Sequence, residues 1–271
     1  NRMLADNFDN ALFWNWRYGT NPDLGSGVGS RGHHKERKRL MLKSMGVEKA
    51  TSVLDVGCGD LEVMGPLLDN ISGYLGIDAS RAVIERARQR YPDHEFVCVD
   101  EGKSNLPAKE LVVCLDVLIH QPTPEKYFEL LNTLVEKTTE RLIVSGFDKR
   151  VTDSPMCFYY GSLYEHLRSF PRFKNVYQIN TYTTVNVYCA EVSEFPRIGQ
   201  VADAPNDISN DEIALFKEKL SSKKQQSLSN IVAISRALFG WYTRHVPRLY
   251  EYTWLAEIFR KMTVTNKLVA D

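Results

Sequence analysis

Apolar runs typical of buried strands alternate with helical patterns from residue 52 to residue 147. The strand-like runs are SVLDVG, GYLGID, EFVCVD, LVVCLDV and RLIVSGF. Between them, a segment near 61–69 and the patterns SRAVIERARQRY and PEKYFELLNTLVEKT predict helices. Parallel strands need such crossovers, and strands covered by helices on both faces are apolar throughout. The pattern therefore predicts an α/β core with five parallel strands.

Two further β-rich runs, FKNVYQIN and TTVNVYCAEV, follow with only a short polar stretch between them. This spacing predicts an antiparallel hairpin. The expected fold is a doubly wound, mostly parallel seven-stranded sheet with a terminal antiparallel hairpin.

The segments on either side of this core break the alternation of strand and helix. Residues 1–51 hold an aromatic stretch, LFWNWRYGT, a glycine-rich loop and a charged helix, and they predict an N-terminal cap of helix and loop. After Phe195-Pro196 the chain reads as amphipathic helices. We therefore divide it into 1–51, a core at 52–194 and a helical C-terminal extension at 195–271.

Composition limits the choice of partners. Of 271 residues, 43% are hydrophobic, and 34 basic residues balance 34 acidic ones. A neutral chain lacks the electrostatic footprint expected for nucleic acid, although a local basic patch can exist within a neutral total. The five scattered cysteines form no CxxC pair and fit a reducing compartment. With no signal-peptide pattern, the expected location is the cytoplasm.

The candidate chemistry begins at a glycine turn after the first strand, in SVLDVGCGDL. Gly57 and Gly59 lie where a strand turns towards a helix, and their missing side chains let a ligand approach the backbone amides. Asp78 closes the next strand about 20 residues later, the spacing at which a carboxylate binds ribose hydroxyls. Together these features indicate a cofactor that contains a nucleoside.

At residues 50–192 the chain resembles the class I S-adenosylmethionine-dependent methyltransferases, which have a Rossmann-like fold. The resemblance rests on VLDVGCGD, GIDAS, FVCVDEG and VVCLDVLIH, in that order and spacing, and on the terminal hairpin. It implies S-adenosylmethionine as cofactor and S-adenosylhomocysteine as product. The implied contacts are Asp55, Gly57 and Gly59 at the methionine part, Asp78 at the ribose, Asp100 and Glu101 at the adenine, Leu115 and Asp116 near the sulfonium, and Asp60 and Ala79 as further cofactor contacts.

An NAD-binding Rossmann domain is the main alternative, because it also places a glycine turn and an acidic residue on successive strands. Its fingerprint is GxGxxG, whereas here Gly57-x-Gly59 is followed by Asp60-Leu61-Glu62. Methyltransferases of this class have a looser third position. The sequence therefore favours a methyl donor over a dinucleotide.

The segment GSGVGSRGHHKERK, residues 25–38, supports a second hypothesis. A group of methyltransferase-like proteins resembles the chain in placing an SGxGS element and a helix before a GCGD motif. In that group the element would fold over the cofactor and meet the methionine carboxylate through a backbone nest or an arginine, here Arg31 or, in its place, Arg17. The alternative is a flexible loop entering a helix whose charges form a solvated face.

His120 lies in DVLIHQ, just past the fourth strand, where open α/β sheets bind ligands. An imidazole titrates near neutrality and can accept a proton from the methyl acceptor; the alternative is a histidine that fixes the loop by hydrogen bonding. We predict His120 and Asp116 as catalytic residues. No metal is predicted, because the adjacent His33 and His34 cannot face the same way on a helix.

The expected reaction is methyl transfer to an oxygen of a small molecule or glycan, and the glycan follows only from the resemblance to the SGxGS group. Two alternatives remain: methyl transfer to a nitrogen of a small amine or protein, and a scaffold with this fold that binds without catalysis. The C-terminal helices suit a peripheral membrane or protein contact, or a cap packed on the same chain.

Overall fold

The computed structural model of the protein describes residues 9–20, 25–30, 32–99, 106–150, 156–182 and 184–193. The strands in chain order are β1 Ser52–Val56, β2 Gly73–Asp78, β3 Glu95–Cys98, β4 Lys109–Cys114, β5 Thr138–Gly146, β6 Asn175–Tyr182 and β7 Val185–Glu191. The predicted extension at 195–271 lies outside the described residues.

The seven strands form one sheet in the order β3-β2-β1-β4-β5-β7-β6. Strands β1 to β5 run parallel, β7 is antiparallel to β5, and β6 pairs with β7 as a hairpin. The predicted mostly parallel sheet with a terminal hairpin is confirmed. Because the parallel strands share one direction, the carboxyl ends of β1, β2 and β4 meet at one edge of the sheet.

The described helices are α1 Asn10–Thr20, α2 Gly32–Ser44, α3 Arg81–Arg90, α4 Pro124–Lys137 and α5 Leu163–Arg168. The helix predicted near 61–69 is wrong, because that segment forms turns and a 3₁₀ helix at Gly65–Asn70. Leu61 adopts a left-handed φ of 60°, which interrupts a right-handed helix at its start. Pro66 then lacks the amide hydrogen that an α-helix would use.

Both faces of the sheet are covered by apolar side chains. On one face, Leu131 and Leu134 of α4 pack with Leu54 of β1 in a buried cluster. Helix α4 begins where the Thr123 hydroxyl accepts the amide of Lys126 at 3.3 Å, a typical N-cap. Helices α2 and α3 bury their apolar sides in the cluster on the opposite face. These layers leave the carboxyl edge of the sheet as the place for a site.

The N-terminal segment lies across that carboxyl edge. The Asn15 side chain accepts the Ala82 amide at 3.2 Å and so joins α1 to α3. All five cysteines carry free thiols. In the part of the chain that the structure describes, no helix is long and apolar enough to cross a membrane.

Candidate active site

A cavity of about 510 Å³ lies at the carboxyl ends of β1, β2 and β4, beneath α1 and the loop at 25–30. Eight of the predicted site residues line it: Asp55, Gly57, Asp60, Asp78, Ala79, Leu115, Asp116 and His120. Gly59 contributes through its backbone amide, as described below. Arg31, Asp100 and Glu101 lie outside the described residues, so their roles stay predictions.

The glycine turn after β1 requires both glycines. Gly57 and Gly59 have φ of 76° and 55°, in the left-handed region that side chains disfavour. A Cβ atom at Gly57 would collide with Val117, and one at Gly59 would collide with the Ser26 hydroxyl. The turn therefore brings its backbone unusually close to the loops around the cavity.

We expect Gly57→Ala to lower the free energy of unfolding by about 2–6 kcal/mol, since a left-handed φ and overpacking each cost about 1–3 kcal/mol. Urea unfolding checks this value. Gly19→Ala is the matched control, because Gly19 lies in α1 with no atom within 4 Å of an added Cβ. That change should be neutral or stabilise by up to about 1 kcal/mol. Equal losses in the two variants would contradict the steric explanation.

Asp78 holds the glycine turn in place. Its Oδ2 accepts the amide of Gly59 at 3.0 Å, and its Oδ1 accepts the amide of Ser80 at 2.8 Å. Burial raises the pKa of Asp78 to about 6, although both amides act in the opposite direction. The carboxylate thus ties the end of β2 to the turn after β1.

Asp55 is a second buried carboxylate on the cavity wall. It is 4% exposed, and the Tyr74 hydroxyl donates to its Oδ2 at 2.6 Å. Burial raises the pKa of Asp55 to about 7, and the nearby Asp78 adds to the increase while the Tyr74 hydrogen bond opposes it. Two buried carboxylates with raised pKa values make this wall a site for a positively charged group.

The far end of the cavity is apolar. Val97, Val99, Leu106 and Leu130 line it, and Val99 leaves 57% of its surface exposed. Exposed aliphatic side chains on a cavity wall suit an apolar or aromatic ligand group. The cavity therefore has a polar, acidic part at the glycine turn and an apolar part at the end of β3.

The SGxGS element folds over the polar part. The Ser26 amide donates to Asp60 Oδ2 at 3.0 Å, and its hydroxyl donates to Asp60 Oδ1 at 2.9 Å. The Tyr18 hydroxyl lies 2.8 Å from the Ser26 hydroxyl. Arg17 donates to the carbonyl of Gly25 at 2.7 Å, which also fixes the loop. The element that the sequence singled out thus reaches the GCGD motif through Ser26.

Asp116, just after β4, is surrounded by donors. Lys38 donates to its Oδ2 at 2.5 Å, the Ser145 hydroxyl donates to its Oδ1 at 3.3 Å, and Tyr182 donates to the same oxygen. Its φ of 61° is left-handed, and its amide donates to the Ser145 hydroxyl at 2.7 Å. These contacts hold the carboxylate in a single position against the cavity.

His120 has a defined tautomer. Its Nδ1 lies 2.7 Å from the carbonyl oxygen of Met156. A carbonyl only accepts hydrogen bonds, so Nδ1 of the neutral ring carries the proton and Nε2 keeps its lone pair. Burial lowers the pKa of His120, although the Met156 carbonyl and Asp116 act to raise it. The ring packs edge to face on Trp14 at 5.5 Å, and both residues line the cavity.

The sequence missed several residues that build the site. Lys38 was included in the alternative of a solvated face, yet it is 1% exposed and contacts Asp116. Tyr18 and Tyr182 carried no recognisable signal, and Ser26 was part of a noted element without a role of its own. Among the described residues, no group of three or more His, Cys, Asp or Glu side chains is placed to hold a metal.

Comparison with known proteins agrees with this architecture. Residues 54–138 match the family model described as a methyltransferase domain. The magnesium protoporphyrin IX methyltransferase of Synechocystis PCC 6803, solved with bound S-adenosylhomocysteine, is similar at 19% identity and a TM-score of 0.50, over 69% of this chain and 97% of that one. No curated protein matches the chain significantly.

A second solved structure has the same fold. The N-methyltransferase NodS of Bradyrhizobium japonicum WM9 was solved in complex with S-adenosylhomocysteine. It is similar at 16% identity and a TM-score of 0.51, over 69% of this chain and 100% of that one. The family match covers β1 to the start of β5, which includes the glycine turn, Asp78 and His120. Residues 54–138 therefore match a methyltransferase domain, and the seven-stranded sheet has the fold of the two solved methyltransferases.

Proposed function

We propose that the protein transfers a methyl group from S-adenosylmethionine to an oxygen of a small molecule or a sugar. The observation that carries the proposal is the position of His120 on the wall of the cavity, with its Nδ1 2.7 Å from the Met156 carbonyl oxygen. A fixed base beside a cavity at the strand ends suits an acceptor whose hydroxyl must lose a proton.

The cavity fits the proposed cofactor in charge and polarity. S-adenosylmethionine supplies, when bound, an electrophilic methyl group on a positively charged sulfonium. Asp55, Asp60 and Asp78 give the polar part an acidic character, and the apolar part can receive the adenine ring. The two similar methyltransferases were crystallised with S-adenosylhomocysteine, which supports the same choice of ligand.

The chain's own residues would align the reactants and move one proton. Asp78 would bind the ribose, with Asp100 and Glu101 near the adenine and Arg31 near the methionine carboxylate. His120 Nε2 would accept the acceptor's proton as the new bond to the methyl group forms. The cap of α1 and the loop at 25–30 would exclude water from the site.

A panel of acceptors decides between the alternatives. The protein is incubated with methyl-labelled S-adenosylmethionine and either hydroxylated small molecules and sugars, or amines and peptides. Label on a hydroxyl acceptor supports the proposal, and label only on amines replaces it by nitrogen methylation. Cofactor binding without transfer to any member of the panel would favour a scaffold.

The affinity for S-adenosylmethionine is expected to fall as the pH decreases from about 8 to about 5.5. Asp55, with a pKa of about 7, must be ionised to attract the positively charged methionine part, and Asp78, with a pKa of about 6, must be ionised to accept both ribose hydroxyls. Each group that must lose a proton weakens binding by up to about tenfold per pH unit below its pKa. Calorimetric titration across this range measures the effect.

Asp55→Asn provides the control for this pH dependence. The variant lacks the titrating group of higher pKa, so its affinity should change less between pH 8 and pH 6.5 than that of the wild type. Subtracting the two curves removes the titration of the ligand's own amino group. Identical pH dependences of affinity in the wild type and Asp55→Asn would contradict the role of Asp55. If the wild type binds no S-adenosylmethionine at any pH, the proposed function as a whole is wrong.

A further inference from the structure

Lys38 is more deeply buried than any other charged residue in the described part of the chain, at 1% exposure. Its ammonium lies 2.5 Å from Asp116 Oδ2 and 4.5 Å from the centroid of the Tyr182 ring. The Tyr182 hydroxyl donates to the other carboxylate oxygen. A buried ammonium requires partners of this kind, because an unpaired charge in the interior is costly.

The backbone of the SGxGS element rests on this ion pair. An added Cβ at Gly29 would lie 2.6 Å from Asp116 Oδ2 and 3.5 Å from Lys38 Nζ. The first of these distances is too short for a carbon atom against an oxygen. Glycine at this position therefore lets the loop backbone lie directly on the carboxylate.

The other end of the same loop is fixed to the glycine turn. Ser26 donates twice to Asp60, the residue after Gly59. The Ser30 amide donates to the Gly27 carbonyl at 3.1 Å, which closes a tight turn between the two anchors. The loop at 25–30 is thus held at one end by the motif after β1 and at the other by the ion pair after β4.

We propose that Lys38 and Asp116 are positioning residues, whose ion pair holds the loop at 25–30 over the cofactor part of the cavity. The pair joins α2 to the end of β4, and the backbone of the loop at 25–30 packs against it at Gly29. Asp116 acts here through the loop and not as a base. The link to cofactor binding rests on the proposed function, whereas the order of the loop does not.

The test is hydrogen exchange of the Ser26 and Ser30 amides in Lys38→Met, measured without ligand. Exchange should be about tenfold or more faster than in the wild type, because both amides are protected only while the loop is held. Lys137→Met is the matched control, since Lys137 pairs with the exposed Glu136 near the end of α4. That variant should leave both rates unchanged.

The double variant Lys38→Met/Asp116→Asn distinguishes release of the loop from a general loss of stability. It leaves no unpaired buried charge, so it should unfold at a higher temperature than Lys38→Met while keeping the fast exchange of the loop. Gly29→Ala should give the same fast exchange by displacing the loop from the pair. Wild-type exchange rates in Lys38→Met and in the double variant would overturn the proposal.

Ligand binding separates this inference from the proposed function. The Kd for S-adenosylhomocysteine should rise about tenfold in Lys38→Met and in Asp116→Asn, the cost expected when a site must order its own loop. If the wild type binds no S-adenosylhomocysteine, the proposed function is wrong. The exchange data still decide whether the ion pair of Lys38 and Asp116 holds the loop at 25–30. If Asp116→Asn loses turnover with wild-type exchange and affinity, Asp116 is a catalytic residue and the positioning role is wrong.

Discussion

Replacement of Asp78 by alanine is expected to weaken S-adenosylmethionine binding by about 10²-fold or more, which corresponds to about 2.7 kcal/mol. The carboxylate has two tasks in the proposed complex. It would bind the ribose hydroxyls, and it accepts the amides of Gly59 and Ser80. Loss of a buried acceptor leaves each amide unsatisfied at a cost of about 1–3 kcal/mol, so the turn itself should shift.

Asp78→Asn separates the two tasks. An asparagine keeps the volume and one acceptor oxygen, but its amide group cannot accept a hydrogen bond from the second backbone amide. Its affinity should lie between those of the wild type and the alanine variant. Titration calorimetry gives the Kd values, and thermal unfolding shows how much of each change reflects a weakened fold.

Asp93→Ala is the control for the removal of a carboxylate. Asp93 is exposed and lies in the turn before β3, at the opposite edge of the sheet from the cavity. Its replacement should change neither the Kd nor the unfolding temperature appreciably. Wild-type affinity in Asp78→Ala would remove Asp78 from the cofactor site and weaken the assignment of the whole cavity.

The parts of the fold that the sequence predicts are those with a local cause. A buried parallel strand is apolar throughout, so β1, β2 and β4 are visible as runs of Val, Leu and Ile. The segment near 61–69 looked helical from its apolar spacing alone. Its conformation depends on the left-handed φ at Leu61, which follows from the geometry of the glycine turn and leaves no mark in the periodicity.

The site is predictable as far as it follows from the topology. Parallel strands bring their carboxyl ends together, so the sequence alone predicts that Asp55, Asp78 and Asp116 lie at one edge of the sheet. The contacts of these side chains are not predictable in the same way. Asp60 meets Ser26 across 34 positions of the chain, and Asp116 meets Lys38 across 78. Such pairs have no spacing that a single sequence reveals.

Lys38 shows this limit most clearly. It lies in a run of charges that, taken alone, is typical of a solvated helix face. Its neighbours Lys35 and Arg39 do remain partly exposed and pair with Glu62 and Glu36. Lys38, in contrast, is directed at the end of β4, where a carboxylate and an aromatic ring stabilise its charge. Burial of that lysine is a property of the tertiary structure, not of α2.

His120→Ala is expected to lower kcat by about 10²-fold or more while leaving the affinity for S-adenosylmethionine unchanged. The imidazole would contribute through its lone pair at Nε2, and its Nδ1 is committed to the Met156 carbonyl. Removal of the ring takes away the proton acceptor but leaves the glycine turn and Asp78 untouched. Single-turnover assays with the acceptor found in the panel, together with calorimetry, measure the two quantities separately.

The pH dependence of turnover distinguishes a base from a structural histidine. A base must be neutral to accept the proton, so the kcat of the wild type, measured at saturating S-adenosylmethionine, should be constant above the pKa of His120 and fall as the ring is protonated. Burial lowers that pKa, which places the acid limb below the usual value of 6.5. His120→Gln should lose this limb, because a glutamine amide can hold the loop but cannot titrate.

His166→Ala is the matched control, since His166 lies in α5 outside the cavity lining and burial lowers its pKa as well. It should leave kcat and its pH profile unchanged. Unchanged kcat in His120→Ala would assign the residue to loop structure, and restored activity in His120→Gln would do the same. Loss of kcat together with the acid limb, at constant cofactor affinity, is the combination that a structural role does not produce. A base that acts only on the acceptor changes the chemical step alone, because the cofactor binds before that proton moves.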